Sequence, residues 1–269
     1  MKKLKKISLW LLGILAGLYI ILCTGMYFFQ EFLIFHPKKL AADYKFPFEQ
    51  KFEELNIPVS DGKKINGLLL TCDSAKGLIF YLHGNAGAMD KWGEVGQRYA
   101  PLHYDVFVMD YRGFGKSEGE IYSEEQFYSD VQTVYNELKK KYSEKNIVII
   151  GYSIGTGSAA MLASKNNPKL LVLQAPYYSL TDMMDHTYPF APHFLLKYKF
   201  ETFAFIEKVK APVLIFHGDA DEIIYYGSSL KLKEHFKSGD SLITLSGAGH
   251  RGMNHNAQYL ARMREILNP

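Results

Sequence analysis

Ser153 stands in Gly151-Tyr152-Ser153-Ile154-Gly155, between the aliphatic run Ile147-Val148-Ile149-Ile150 and the small residues Thr156-Gly157-Ser158-Ala159. A serine so placed can attack an acyl carbon. The flanking glycines have a physical reason: a nucleophile on a sharp strand-to-helix turn points its hydroxyl outward, and Cβ atoms at Gly151 and Gly155 would collide with neighbouring backbone. A helix starting just behind Ser153 would also offer free N–H groups to a developing oxyanion. The same letters can spell an ordinary glycine-rich turn, so the serine needs partners.

A serine nucleophile needs a base and a group that orients the base, and one known chain order is serine, acid, histidine. Of nine histidines, His36, His83 and His103 precede Ser153. His186 and His193 lie in an irregular aromatic region, His217 in a predicted strand and His235 in a lysine-rich helical stretch. His250 ends Ser246-Gly247-Ala248-Gly249-His250, a flexible loop able to carry an imidazole over a sheet, whereas His255 falls where a C-terminal helix should begin. His250 is therefore the candidate base. For the acid, Val213-Leu214-Ile215-Phe216-His217 runs into Gly218-Asp219-Ala220-Asp221-Glu222, and Asp219 and Asp221 compete. Leu78–Leu82 ends in His83-Gly84-Asn85-Ala86-Gly87, whose glycines let the backbone turn and aim an N–H. Asn85 N–H and Ile154 N–H are the candidate oxyanion pair, and His83 is read as holding the loop.

Two other patterns fail as sites. Asp110-Tyr111-Arg112-Gly113-Phe114-Gly115-Lys116-Ser117 suggests a phosphate-binding loop, but the required glycine six positions before the lysine is Asp110, so a structural turn is expected. No metal-ligand spacing occurs, and the His250-to-His255 spacing lacks the Glu of a zinc helix, so no cofactor or metal is expected.

The elements that would position these residues are legible as periodicity. Leu55–Val59 and Ile65–Thr71 flank the turn signal Asp61-Gly62 and predict an antiparallel hairpin. Apolar runs at Leu78–Leu82, Val106–Met109, Ile147–Ile150, Leu170–Leu173, Val213–Phe216 and Leu242–Leu245 alternate with helical stretches, as in a mostly parallel sheet with helices on both faces. The strongest helical pattern is Ser123 to Tyr142, with Ser123 and Gln126 as a capping box and Phe127, Val131, Val134, Leu138 and Tyr142 on one face.

The chain has 269 residues, 48% hydrophobic and 22% charged, enough for one globular domain and an addition. The addition is N-terminal. Lys2, Lys3, Lys5 and Lys6 precede Ile7 to Phe29, 23 residues without a charge. As a helix these would extend about 34 Å, enough to cross a bilayer. A cleaved signal would have a shorter apolar region and a small-x-small site, which Leu22-Cys23-Thr24-Gly25 does not supply, so a retained transmembrane anchor is expected over residues 7–29. The basic start predicts a catalytic domain on the non-cytoplasmic side. Residues 30 to 269 carry 27 Lys+Arg against 28 Asp+Glu, which excludes a nucleic-acid footprint. Cys23 and Cys72 are not expected to pair. The organisation read from the chain is a basic N-terminus and anchor over 1–29, a connecting segment over 30–52 and one catalytic domain over 53–269. The sequence carries no signal for oligomeric state either way.

Taken together, His83 to Gly87, Asp110 to Gly119, Gly151 to Gly155, His217-Gly218-x-x-Asp221 and Gly249-His250 resemble an α/β-hydrolase-fold serine hydrolase, in the membrane-anchored branch near the serine-aminopeptidase-like group. The resemblance covers roughly residues 50 to 265. It implies that the acid is Asp221, four residues after His217, and that Asp219 occupies a variable position. It implies also that Tyr177 to Val209, with nine Phe or Tyr in 33 residues, forms a small cap shaping an acyl pocket. The expected activity is cleavage of an apolar, lipid-like acyl ester or thioester through an acyl-enzyme on Ser153. A peptidase of the aminopeptidase-like type would need a cap carboxylate to hold a substrate amine, and Asp182, Asp185 and Glu201 are available. An inactive membrane-tethered binding protein would need a broken triad.

Overall fold

The computed structural model describes residues 2–268. Its first element, α1 (Lys2–Phe28), has no buried residue. Among the described residues it is the one helix long and apolar enough to cross a membrane. Helix α2 (Gln30–Ile34) and strand β1 (His36–Pro37) follow. The segment to residue 52 then runs against the body of the protein, with Phe35 and Phe46 buried. Strands β2 (Phe52–Pro58) and β3 (Lys64–Leu70) are the expected antiparallel hairpin, displaced from the sequence reading by one to three residues. At its turn Gly62 takes φ 79°, a left-handed conformation that suits glycine.

Next come β4 (Gly77–Leu82), β5 (Ala86–Gly87), the short helices α3 (Met89–Trp92) and α4 (Gly96–Tyr99), and β6 (Tyr104–Met109). The long helix is α5 (Glu124–Lys141). Ser123 Oγ accepts from Gln126 N at 3.1 Å. The return half of the expected capping box differs, because Gln126 Oε1 accepts from Tyr122 N at 3.4 Å rather than from Ser123 N. Strand β7 (Ile147–Tyr152) leads into α6 (Gly155–Lys165), followed by β8 (Leu170–Gln174). Helices α7 (Leu180–Thr187) and α8 (Thr202–Ile206) lie in the aromatic-rich stretch. The chain closes with β9 (Val213–Gly218), α9 (Gly227–Lys233), β10 (Ser241–Leu245) and α10 (Ala257–Leu267).

Eight strands form one sheet in the order β10-β9-β8-β7-β4-β6-β3-β2. The six strands from β10 to β6 are parallel to one another, while β3 and β2 complete the sheet antiparallel. Both faces are covered, which is why the central strands read as unbroken apolar runs rather than alternations. One core gathers Phe127, Val131 and Leu138 of α5 with Ala159 and Leu162 of α6. The opposite core gathers Met89, Tyr99, Tyr259 and Met263 beneath α3, α4 and α10.

The Asp110 to Ser117 turn is structural. The buried Arg112 guanidinium meets Asp61 and Asp130, each at 2.6 Å, and so clamps the hairpin turn to α5. Ser117 Oγ donates to Asp110 O at 2.6 Å. Asp110 itself accepts from Met89 N at 3.1 Å and lies 3.3 Å from His83 Nε2. Burial nevertheless raises the Asp110 carboxyl above its ordinary range, against the pull of His83.

Candidate active site

In this sheet β7 ends beside β4, so the turn after β7 and the turn after β4 stand next to each other at the carboxyl edge. Ser153 occupies the first of these turns with φ 54°, a left-handed conformation costly for a residue with a Cβ. Its backbone is pinned from both sides: Ser153 N donates to Gln174 O at 3.0 Å, and its carbonyl accepts from Thr156 N at 2.9 Å and Thr156 Oγ1 at 2.6 Å. The glycines allow this packing. A Cβ at Gly155 would stand 2.2 Å from Leu82 O, and one at Gly151 would stand 2.6 Å from Gly155 O.

The loop after β10 brings His250 over the serine, with Nε2 3.1 Å from Ser153 Oγ and Nδ1 2.8 Å from Asp221 Oδ2. Nδ1 faces a carboxylate, so it carries the proton, and Nε2 is left to accept from the serine hydroxyl. The imidazole stacks on Tyr152, with ring centres 5.4 Å apart, and Tyr152 OH donates to His250 O at 2.7 Å. Ser153 and His250 are both buried.

Asp221 has a fully buried carboxylate whose four contacts use both oxygens. Oδ1 accepts from Ile223 N at 2.9 Å and Ile224 N at 2.8 Å. Oδ2 lies between His250 Nδ1 and His217 Nε2, the latter at 3.2 Å. Burial opposes its ionisation, but hydrogen bonds from His217 and His250 outweigh that and hold the carboxyl well below the usual carboxylate range. Asp219 is turned elsewhere, its Oδ1 accepting from Gly247 N at 2.6 Å. His255 meets Arg98 Nη2 at 2.8 Å on the surface.

Three residues at this site were not singled out from the sequence as partners of the triad. His217, set aside as a strand residue, is fully buried behind Asp221. Its Nε2 faces both Ile224 O at 2.9 Å and the carboxylate, so the proton sits there and Nδ1 accepts from Ser229 Oγ at 2.6 Å. Glu222 Oε2 accepts from His250 N at 3.1 Å. Tyr152, inside the serine motif, supports the histidine. The available signal was position: His217 and Asp221 are four residues apart across a strand end.

The Asn85 loop is held from outside the sheet. Strand β5 pairs in parallel with β1, His36 N donates to Asn85 O at 2.9 Å, and Asn85 Nδ2 donates to Ile34 O at 3.1 Å. Among the described residues, the backbone N–H groups of Asn85 and Ile154 donate to no other group. His83 is buried, with Nδ1 2.7 Å from Gly84 O and its ring stacked on Trp92. The cap packs directly on the serine turn, since Tyr177 OH donates to Ile154 O at 3.2 Å. A cleft of about 420 Å³ lies on the α3 and α4 side of Tyr152, lined by Gly87, Trp92, Tyr152 and Met253, and neither Ser153 nor His250 lines it.

The sheet order is that of the α/β-hydrolase fold, and the comparisons relate the chain to the serine-aminopeptidase-like group. Residues 73–205 match the family described as Serine aminopeptidase, S33. The chain is 29% identical over 239 residues to human alpha/beta hydrolase domain-containing protein 17B, covering 84% of this chain and 80% of that protein. Among solved structures, the Pyrococcus furiosus esterase Pf2001 superposes with a TM-score of 0.69 at 18% identity, covering 87% of this chain and 97% of the esterase. Est1E from Butyrivibrio proteoclasticus, solved with ferulic acid bound, gives 0.62 at 22% identity, covering 79% and 96%.

Proposed function

We propose that this chain is a membrane-anchored serine hydrolase that cleaves an apolar acyl ester or thioester through an acyl-enzyme on Ser153. The observation that carries the reading is the connected series Ser153 Oγ, His250 Nε2, His250 Nδ1, Asp221 Oδ2, at 3.1 and 2.8 Å. In the first step His250 Nε2 takes the hydroxyl proton as Ser153 Oγ bonds to the acyl carbon, and Asp221 stabilises the imidazolium. The N–H groups of Asn85 and Ile154 receive the oxyanion. Collapse expels the leaving group with the proton from His250. Water, activated by the same nitrogen, then releases the acid.

A peptide amine would need a free cap carboxylate: Asp182 is taken up by Lys231 and Tyr225 and Asp185 by His193 at 2.6 Å, so of the three only the exposed Glu201 is left to hold an ammonium. Helix α1 serves as the anchor. The test is turnover by the purified full-length protein of a nitrophenyl ester series, an acyl thioester and an aminoacyl anilide. Hydrolysis of ester or thioester with the anilide untouched is the expected result, and hydrolysis of the anilide alone overturns the substrate class.

A further inference from the structure

We propose that the tip of the cap, Tyr188 to Phe194, is immersed in the bilayer that α1 crosses, so that the hydrolase takes its acyl substrate from the membrane rather than from water. This rests on α1 being retained as a bilayer anchor and deepens the reading of the site above. The observation behind it is where the cap touches the helix. Gln30 Nε2 donates to Leu195 O at 2.5 Å and Lys197 N donates to Gln30 Oε1 at 2.8 Å, just past the end of α1. Lys197 Nζ stands 4.9 Å from the ring centre of Tyr27, a lysine-aromatic pairing suited to headgroup level. From there the cap descends beside the helix, until Tyr19 OH donates to Phe190 O at 2.8 Å. Tyr19 lies eight residues before Tyr27, about 12 Å further along the axis.

That contact fixes the depth. If the level of Tyr19 were outside the membrane, only Ile7 to Leu18 would remain to cross it, about 18 Å of helix against a hydrocarbon core of about 30 Å. For α1 to span, the cap tip beside Tyr19 must lie within the bilayer.

The composition of the tip fits that environment. Thr187 to Leu196 contains no Asp, Glu, Lys or Arg. Pro189 and Pro192 have no N–H to leave unsatisfied. Tyr188 N donates to Met184 O on α7, and Ala191 N donates to Tyr188 O. The tip's histidine, His193, is paired with Asp185. Outside α1, six of the nine exposed large apolar side chains among the described residues are Phe29, Phe32, Leu33, Tyr188, Phe190 and Phe194, with Phe194 80% exposed. They sit on α2, on its approach and on the cap tip, the two pieces of chain that Gln30 ties together. A water-facing cap would scatter such residues, and concentration beside an anchor marks a membrane-contact surface.

The test uses the full-length chain with Cys23→Ser and Cys72→Ser, reconstituted in phosphatidylcholine vesicles. A nitroxide is placed at Phe194→Cys or, as an aqueous reference before β7, at Lys145→Cys. At position 194 collision with oxygen should exceed collision with a water-soluble nickel chelate, and at 145 the order should reverse. Equal nickel accessibility at the two positions overturns the immersion. Shielding of position 194 from both reagents also overturns it, in favour of a protein contact such as a second copy of the chain. The double variant Phe190→Ser/Phe194→Ser should raise KM at least tenfold for an ester dissolved in the vesicles and leave turnover of a short water-soluble ester unchanged. An equal effect on both esters overturns the proposed route. If the wild type turns over neither, the hydrolase reading fails, while the nitroxide measurement still decides the depth.

Discussion

Replacing Asp221 by Asn should damage turnover and stability together, and the contacts show by how much. Two backbone N–H groups face Oδ1 and two imidazole nitrogens face Oδ2. An asparagine that keeps its oxygen on Ile223 N and Ile224 N must turn its NH₂ toward both histidines. His250 Nδ1 then accepts instead of donating, so the ring proton moves to Nε2 and confronts the serine hydroxyl. Loss of the productive tautomer lowers turnover about 10⁴-fold, or about 5 kcal/mol of transition-state stabilisation. His217 meets a second conflict. If its Nε2 accepts from the new amide, Ile224 O loses its donor inside the protein, and if Nε2 keeps its proton, two donors oppose each other. One buried polar group left unpaired costs about 1–3 kcal/mol, or a fall in Tm of about 2–12 °C for a domain of this size. Asp219→Ala removes only the acceptor for Gly247 N. It should cost about 1 kcal/mol with turnover kept. The assay is ester turnover and thermal unfolding of both variants beside the wild type. If Asp219→Ala abolishes turnover while Asp221→Asn remains active, the assignment of the acid is wrong.

Three further outcomes follow from the packing and charges. Arg112→Met strands the buried Asp130 carboxylate beside the hairpin turn and should cost about 3–5 kcal/mol in denaturant unfolding; a loss under 1 kcal/mol would refute the clamp. Gly155→Ala drives a Cβ toward Leu82 O, shifts α6 against β4, and should lower turnover about 10²-fold as well as Tm; unchanged kinetics would contradict the close approach. Asp221 has a depressed folded-state pKa, so its ionised form adds stability that is complete above the unfolded value near 4 and is lost as pH falls toward the folded value. The stability gap between wild type and Asp221→Asn should therefore narrow as pH falls below about 5, and a gap constant with pH would count against that charge state.

What could be read in advance was local or periodic. The four aliphatic residues before Gly151 and the small ones after Gly155 announce a buried strand and a close helix, because each constraint is set by immediate neighbours. The Ser123 cap and the stripe from Phe127 to Leu138 are legible for the same reason. His217 was not, since a histidine inside an apolar strand has the same letters whether it fills the core or backs a carboxylate, and only the fold of the β9 end decides. The pairing of β1 with β5 was equally hidden: two residues at each strand, some 50 positions apart, leave no periodicity. Residues 30–52 read as a connection because Pro37, Pro47 and their neighbours break any repeat. Their backbone nonetheless finds partners on the Asn85 loop and on Gly115, where Lys38 O accepts from Gly115 N at 2.8 Å.

The central claim is that Ser153 is the group that becomes acylated. Full-length protein treated with a fluorophosphonate and digested should carry the adduct on the peptide containing Ser153, once per chain. Ser153→Ala should carry none and should lose about 10⁶-fold in turnover. An adduct on Ser158 or another serine, or undiminished labelling of Ser153→Ala, would contradict the account.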